Sequence, residues 1–474
     1  MKTVVILDVM QHSGVTFGTS GARGLVSAMT DEVCAAYAAA FLNVIRPSFK
    51  VTRIALGMDL RPSSPRIVAA CAAALKEQGV QVDFCGALPT PALALYAQNE
   101  GIAAIVVTGS HIPFDRNGIK FYRPDGEITK ADELAISEAV VQIGQVSCDL
   151  PDVNPAALNQ FVQRYLDFFP KDAFKGLRLG VYEHSSVARD VLRTILEGLG
   201  AEVTSLGRTE QFVPIDTEAV AEIDIQRGKD WSQQYHFDAI ISTDGDGDRP
   251  LISDETGNWL RGDIVGLICA RYLKANKVVV PVSCNTAIEL CGEFATVLRT
   301  KIGSPYVIAG MQQVASGEAD AIVGFEANGG FLVGSRFSRD GSYLAPLPTR
   351  DSILPALTVL AAAGSGRVSD LMQGLPARFT ASDRLQEFPV ATSRQLIETL
   401  TSNPEALLRY LAPDDDAQPV DCNTTDGLRI RFNNGEIVHL RPSGNAPELR
   451  CYCEAGSEAR AMQLVQRVLG KIKG

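Results

Sequence analysis

Residues 54–86 read IALGMDLRPSSPRIVAACAAALKEQGVQVDFCG. A short apolar strand runs into a polar loop, an amphipathic helix follows, and a second apolar strand closes on Gly86. Ser64 is expected to cap the helix, with Pro65 at its first position. Ile67, Ala70, Cys71, Ala74 and Leu75 recur at helical spacing and make one apolar face. Two strands joined through such a helix lie parallel, with a right-handed crossover. Residues 177–207, LRLGVYEHSSVARDVLRTILEGLGAEVTSLG, repeat the plan, with Gly57 aligned to Gly180 and Gly86 to Gly207. A weaker third copy starts at Lys277 with KVVVPVSCNTAIELCGEF. A βαβ unit recurring at this distance predicts related α/β domains in tandem, not a short-period solenoid.

The last hundred residues change character. Leu428 to Phe432 alternate, Asn433-Asn434-Gly435 reads as a hairpin turn, and Glu436 to Arg441 alternate back. Leu449 to Cys453 reads as a further strand and Ser457 to Ile472 as a helix. Successive strands followed by a helix predict an α+β domain. Pro151 and Pro155, the segment after Asp254 and Gly364-Ser-Gly366 suggest divisions into residues 1–152, 153–256, 257–376 and 377–474.

The chain has 474 residues, 46% apolar and 21% charged, which excludes a disordered chain, a collagen-like polymer and a disulfide-stapled miniprotein. Acidic residues number 55 against 44 basic, for a net charge of −11, which argues against non-specific nucleic-acid binding. Ten cysteines are scattered with no CxxC pair, as expected of free thiols in a reducing compartment. Met1 to Met10, interrupted by Asp8, is too short an apolar run for a signal peptide, and no stretch reaches membrane-spanning length. A soluble cytoplasmic protein with neither nucleic-acid nor membrane partners is expected.

Five segments carry candidate chemistry. In Val106-Val-Thr-Gly-Ser-His-Ile-Pro113 a buried strand runs into Ser110, with Gly109 expected to permit an unusual backbone. The carboxyl end of such a strand is where open α/β sheets bind ligands, although Ser110 also reads as a serine in an ordinary turn. In Asp238-Ala-Ile-Ile-Ser-Thr-Asp-Gly-Asp-Gly-Asp-Arg249 a strand delivers Asp244, Asp246 and Asp248 at alternate positions. Three such carboxylates repel unless a cation joins them. Arg249 at the sixth position and a preceding strand exclude an EF-hand and favour Mg²⁺. Gly324-Phe-Glu-Ala-Asn-Gly-Gly-Phe331 places Glu326 and Asn328 where they could bridge neighbouring sugar hydroxyls, or simply flank a glycine turn. In Leu440-Arg-Pro-Ser-Gly-Asn-Ala-Pro-Glu-Leu-Arg450, Arg441, Ser443, Gly444 and Asn445 form either an anion nest or a hairpin loop with a surface arginine. Thr16-Phe-Gly-Thr-Ser-Gly-Ala-Arg-Gly24 lacks a dinucleotide fingerprint but offers Arg23 as a charge clamp.

In this order and spacing the five segments resemble those of the α-D-phosphohexomutases, over essentially the whole chain from Thr16 to Arg450. The family's serine loop usually reads TASHNP, and Thr108, Ser110, His111 and Pro113 match it. Its metal loop DGDxDR is matched by Asp244 to Arg249. Its phosphate loop RxSGTEP is matched by Arg441, Ser443, Gly444 and Pro447, with Asn445 and Ala446 departing. In its sugar loop, GExSGH, Glu326 fits, Asn328 replaces serine, and Gly330 follows where histidine is usual.

The resemblance implies a heart-shaped, four-domain molecule: three tandem similar α/β domains with mixed sheets, then a C-terminal α+β domain. It implies a phosphoserine at Ser110. One phosphoserine oxygen would join Asp244, Asp246 and Asp248 on Mg²⁺, with Arg23, His111, Lys120 and Arg249 around the transferring group. The implied reaction interconverts hexose 6-phosphate and hexose 1-phosphate through a hexose 1,6-bisphosphate, which also serves as activator. Lys120, ten residues past Ser110 and beyond an expected Asn117-Gly118 turn, is the candidate proton carrier, assisted by Arg23. Arg441, Ser443, Gly444, Asn445 and Arg450 would hold the non-reacting phosphate. Glu326 and Asn328 suit the 3- and 4-hydroxyls shared by glucose and mannose. Mannose is favoured, with glucose and glucosamine phosphates as alternatives, and the protein is expected to be a monomer or dimer. A metal-dependent sugar phosphatase is disfavoured, because only five histidines are present and no second Asp/His cluster is evident.

Overall fold

The computed structural model describes residues 2–18, 21–144, 149–443 and 447–473. In the quoted stretch, strand Arg53–Met58, helix Ser64–Glu77 and strand Gln81–Ala87 form the expected parallel unit. The helix buries Ile67, Ala70, Cys71, Ala74 and Leu75, and each of its larger aliphatic side chains contributes roughly 2 kcal/mol by leaving water. One detail differs from expectation. Ser64 lies inside the helix, and its hydroxyl donates to Asp59 Oδ1 at 2.5 Å instead of capping backbone amides. Ser64 Oγ in turn accepts from Asn117 Nδ2 at 3.0 Å, so its lone pairs serve a side chain of the neighbouring strand and not the helix amides.

The unit recurs three times with one topology. In the first sheet, Gln81–Ala87 pairs Arg53–Met58, which pairs Ala103–Val107, and all three run parallel. Arg116–Arg123 then pairs Ala103–Val107 antiparallel, and the hairpin Thr16–Phe17 with Ala22–Leu25 extends that edge. The second sheet repeats the order with Glu202–Leu206, Arg178–Tyr182, Ala239–Thr243 and antiparallel Pro250–Ile252. The third repeats it with Thr296–Thr300, Lys277–Pro281, Ile322–Phe325 and antiparallel Phe331–Val333, and adds Leu347–Asp351. The weakness of the third copy in sequence has a structural counterpart. Its first crossover carries only the four-residue helix Ala287–Leu290.

The fourth sheet is wholly antiparallel, in the order Phe379–Leu385, Leu449–Ala455, Ile437–Pro442, Leu428–Phe432 and Pro419–Asn423. The hairpin expected around Asn433-Asn434-Gly435 is present, and helix Glu458–Lys473 packs its buried Leu464, Val465, Val468 and Leu469 into that core. One apolar core is continuous from Ala55 through Tyr165 and Phe325 to Val368, so the second and third sheets share packing with the inner face of the first. Among the described residues no helix is long and apolar enough to cross a membrane.

This repetition positions the site. The serine loop follows Ala103–Val107, the acidic loop follows Ala239–Thr243, and the Glu326 loop follows Ile322–Phe325. Each is the hairpin between the third parallel strand of its unit and the antiparallel fourth. Carboxyl ends of parallel strands are the usual ligand edge of such sheets, and here three of them converge.

Candidate active site

The serine loop is held by a buried pair, Asp59 and Arg61, that no sequence motif marks. Asp59, at the end of the first strand, accepts from Ser64 Oγ, Thr108 Oγ1 (2.8 Å), Gly109 N (3.2 Å) and the Arg61 backbone. Arg61 pairs with Asp59 at 3.2 Å, and both side chains are fully buried. Its guanidinium donates to the carbonyls of Ser110, Ile112, Pro113 and Arg116, and stacks on Phe212 at 3.9 Å. The planar fork thus closes the whole turn.

Gly109 is needed for a different reason from the one expected. A Cβ there would lie 2.6 Å from the Arg61 guanidinium, so glycine makes room for the clamp. The unusual backbone belongs to Ser110 itself, at φ +53, a region non-glycine residues adopt rarely and at a cost of order 1–3 kcal/mol. Ser110 N donates to Thr108 Oγ1 at 2.8 Å, and its Oγ donates to Asp244 Oδ2 at 2.6 Å. His111 Nδ1 lies 3.3 Å from Ser110 Oγ and 2.9 Å from Arg249 Nη1. Burial, then the charges of Arg249 and Arg23, push the imidazole down to about 2, so His111 is neutral and accepts from Arg249.

Lys120 reaches the same place by pairing, not by a turn. Asn117 and Gly118 lie within strand Arg116–Arg123, and Lys120 sits opposite Val106 in the antiparallel register. Its ammonium is 2.7 Å from Asp246 Oδ2 and 2.9 Å from Asp248 Oδ2. Burial alone would lower its proton affinity, but the two carboxylates outweigh burial and raise it. Arg23 faces the same carboxylates, and burial with the nearby Arg249 and Arg350 lowers it to about 10.

The three aspartates are buried, and one oxygen of each lies within 4.8 Å of the others. Among the described residues this is the one such grouping. Asp246 Oδ2 takes Thr90 Oγ1 and Lys120; Asp248 Oδ2 takes Lys120 and Arg350; Asp244 Oδ1 takes the amides of Asp248 and Arg249. Asp246 Oδ1 and Asp248 Oδ1 are buried with no hydrogen-bond partner, Asp244 Oδ2 accepts from the serine, and Arg249 Nε lies 3.9 Å from Asp244 Oδ2 and 3.6 Å from Asp248 Oδ1. The second oxygen of each carboxylate carries at most the serine hydroxyl as hydrogen-bond donor, and three such neighbouring carboxylates are a donor set that fits a hard cation. Burial and the like charges of Asp246 and Asp248 raise Asp244 far above the usual carboxylate range. Burial pushes Asp246 and Asp248 the same way, but Lys120 and Arg350 prevail and hold both low.

In the third loop, Glu326 is buried and pairs with Arg350 at 3.3 Å. Asn328 is partly committed elsewhere. Its Oδ1 accepts from Gly330 N at 3.0 Å and its carbonyl from Thr217 Oγ1 at 2.7 Å, so the amide oxygen also shapes the loop. Thr217 and Phe212 belong to one excursion of the second unit, residues 207–221, that touches the Arg61 clamp, the acidic loop and the Glu326 loop. Glu218 on the same excursion has its proton affinity raised by burial and Asp216, against Arg261, Arg249 and Arg450.

In the fourth sheet Arg441 ends strand Ile437–Pro442, and its Nε donates to Asp426 Oδ2 at 3.0 Å. Arg441 and the buried Ser443 line an open groove of about 710 Å³ with Arg394, Thr424 and Asp426. Arg450 lies one strand away, opposite Arg441 in register, facing Tyr452, Glu218 and Glu448. Gly444 and Asn445 fall outside the described residues.

Residues 14–146 match the phosphoglucomutase/phosphomannomutase α/β/α domain I, residues 261–379 its α/β/α domain III, and residues 384–471 its C-terminal domain. A phosphomannomutase of Salmonella muenchen is 50% identical over 466 residues, covering 98% of this chain and 97% of its own. A phosphomannomutase of Sinorhizobium fredii is 44% identical over 472 residues, covering 96% and 98%. A crystal structure of a phosphoglucomutase/phosphomannomutase family protein from Burkholderia thailandensis shares the fold, with a TM-score of 0.75, 21% identity and 97% coverage of both chains. A serine hydrogen-bonded into a buried carboxylate cluster, on a scaffold matched from end to end, leads to one conclusion: the chain belongs to the α-D-phosphohexomutase superfamily and is an isomerase of hexose phosphates.

Proposed function

We propose that this mutase works best on mannose phosphates and carries the phosphoryl group on Ser110. The observation that carries this reading is the 2.6 Å bond from Ser110 Oγ to Asp244, beside two carboxylate oxygens without partners. In the resting enzyme Ser110 is phosphorylated. Its phosphoryl group passes to the free hydroxyl of a hexose phosphate: the Ser110 O–P bond breaks and a sugar O–P bond forms. The hexose 1,6-bisphosphate turns round in the cleft and returns its other phosphate to Ser110; added bisphosphate acts as activator by the same reaction.

Asp244, Asp246 and Asp248, with one phosphoserine oxygen, would hold Mg²⁺. Bound there, it would neutralise charge developing on the transferring oxygens. Lys120, charged and pressed against two carboxylates, suits proton transfer. Its ammonium gives a proton to Ser110 Oγ as that oxygen leaves, and the amine takes the proton of the attacking hydroxyl, with Arg23 alongside. Neutral His111 and Arg249 orient the reacting group. Glu326 accepts from the sugar hydroxyls. Arg441, Ser443, Gly444, Asn445 and Arg450 hold the distal phosphate.

The roles divide over residues 1–152, 153–256, 257–376 and 377–474: phosphoserine, metal, sugar and distal phosphate. Two relatives named phosphomannomutase, at 50% and 44% identity over nearly the whole chain, support mannose. The nine free cysteines among the described residues support a reducing, cytoplasmic compartment. A substrate panel tests the reading: mannose, glucose, glucosamine and N-acetylglucosamine 1-phosphates with Mg²⁺ and bisphosphate, scoring isomer and released phosphate separately. Mannose 6-phosphate as the fastest product supports it. Faster turnover of glucosamine 1-phosphate, or phosphate release in place of isomer, overturns it.

A further inference from the structure

Arg350 lies in strand Leu347–Asp351, in a stretch that carries no motif. Its side chain is buried. Nε and Nη2 both reach Asp248 Oδ2, at 3.1 and 2.8 Å, and Nη1 reaches Glu326 Oε2 at 3.3 Å. One guanidinium therefore joins the acidic loop of the second unit to the Glu326 loop of the third. Among the described residues it is the one cation paired with both. Asp248 Oδ1 stays without a hydrogen-bond partner, so Arg350 occupies one oxygen of that carboxylate and spares the other.

The room for Arg350 comes from the Glu326 loop. A Cβ on Gly330 would lie 2.7 Å from Arg350 Cδ and 2.8 Å from Cγ. Gly330 is also where the loop departs from the histidine usual in the family.

We propose that Arg350 is a positioning residue for this mutase, seated by Gly330, that fixes Glu326 toward the sugar hydroxyls and Asp248 toward the cation. The inference rests on the mutase reading above. Its physical basis is the fork. A planar guanidinium makes one hydrogen bond to each of two carboxylates and a further ion-pair contact to Asp248 in fixed directions, whereas a lysine at the same place keeps the charge and loses the geometry. Arg350 acts through Glu326 on the substrate, so its loss should weaken substrate binding more than turnover.

The test compares wild type, Arg350→Lys, Gly330→Ala, Glu326→Ala and the Arg350→Lys/Glu326→Ala double variant in steady-state kinetics with mannose 1-phosphate, bisphosphate and Mg²⁺. Losing one charge-assisted hydrogen-bond network of this kind predicts KM for Arg350→Lys raised about tenfold, with a smaller change in kcat. Mg²⁺ binding read directly by titration calorimetry, without turnover, should weaken several-fold in Arg350→Lys. Gly330→Ala should reproduce the KM rise, since its methyl displaces the guanidinium. The double variant should show the KM of Glu326→Ala and no more, because both changes remove one arrangement.

An unchanged KM in Arg350→Lys overturns the proposal, whatever happens to its melting temperature, as does a double variant whose KM effects multiply. If Arg350→Lys fails to fold, Gly330→Ala decides by the same KM criterion. Wild type that makes no isomer from mannose 1-phosphate overturns the reading beneath, and that is known before any variant is measured.

Discussion

Ser110 Oγ donates a 2.6 Å hydrogen bond to Asp244 Oδ2 across 134 positions of sequence. The bond joins two loops that occupy the same place in two copies of one folding unit. It also sets an electrostatic problem. Phosphorylating Ser110 removes the donor and brings nearly two negative charges against three buried carboxylates. Lys120, Arg23, Arg249 and Arg350 surround that point, and the unpartnered oxygens of Asp246 and Asp248 leave space for a further cation.

Ser110→Ala should therefore abolish turnover by a factor of about 10³ or more, because covalent storage of the phosphoryl group is lost and no neighbouring group replaces it. The fold should persist, with melting slightly below the wild-type temperature because the buried Asp244 Oδ2 loses its donor. Intact mass after incubation with bisphosphate should show one phosphate on wild type and none on the variant. Retained mutase activity in Ser110→Ala would remove Ser110 from the reaction.

Asp246→Asn keeps the shape of the acidic loop and removes one charge. Thr90 and Lys120 still find an oxygen on the amide, so the melting temperature should change little. Activity should fall at least about 100-fold, and chelation of wild type should do the same, reversed by Mg²⁺. Full activity after EDTA, with metal absent by elemental analysis, would exclude a metal from catalysis.

The Asp59–Arg61 pair makes a stability prediction. Arg61→Met deletes four carbonyl contacts and strands Asp59 as a buried unpaired carboxylate. Breaking a buried pair from one side costs about 3–5 kcal/mol. Chemical denaturation should register a loss of that order, and kcat should fall because the left-handed Ser110 turn is no longer clamped. Arg61→Met with wild-type stability and kcat would show that the clamp is dispensable.

What could be read from sequence followed from how locally each feature is encoded. The Ile67–Leu75 face, the Asn433-Asn434-Gly435 hairpin and the Asp244–Asp248 spacing are contiguous patterns, and the structure contains all three. The repeat at 177–207 disclosed the shared topology, since glycines and apolar runs mark the same strand ends. Arg61 stood inside the very stretch quoted first, yet it reads there as one polar residue in a loop. Its partners are carbonyls 49 to 55 residues away, and carbonyls leave no trace in a sequence. Arg350 was hidden for a like reason: it pairs with Asp248 from 102 positions off. Lys120 reaches the carboxylates by strand pairing opposite Val106 and not by the turn that Asn117-Gly118 suggests. Asn328 was read for its chemistry alone, and its backbone-shaping bond to Gly330 depends on a loop conformation that residue types do not specify.

Two buried histidines outside the site predict the acid limb of stability. His184 and His439 each have one ring nitrogen on a backbone carbonyl, of Thr243 and Asp426, and the other buried without a partner. Burial pushes each imidazole down to about 4. In the unfolded chain both titrate near 6.5. Above pH 6.5 neither state binds these protons, and the pair leaves stability unchanged. Between pH 6.5 and about 4 the unfolded chain binds protons that the folded chain refuses, so stability falls as pH falls. His439→Phe preserves the stacking on Tyr452 and removes one titration. Its melting temperature should decline less steeply over that interval than that of wild type. Parallel slopes would show that His439 is not a source of the acid limb.

Arg441→Ala separates the distal groove from the reacting centre. Arg441 sits on an antiparallel sheet of its own, tied through Nε to Asp426, which also accepts the Ile302 amide from the third unit at 3.0 Å. Its position is therefore set partly by contact between units, and its charge faces the groove that Ser443 and Arg394 line. If the groove holds the phosphate that is not being transferred, Arg441→Ala removes binding energy and leaves the chemistry at Ser110 intact. KM for the hexose phosphate should then rise about tenfold or more, in line with the loss of a charge-assisted contact to phosphate. kcat should also fall, because binding energy at the remote phosphate orients the reacting hydroxyl. Ser110 should still become phosphorylated by bisphosphate, more slowly, and intact mass would record it. Unchanged KM with a reduced extent of Ser110 phosphorylation would place Arg441 in the transfer step instead.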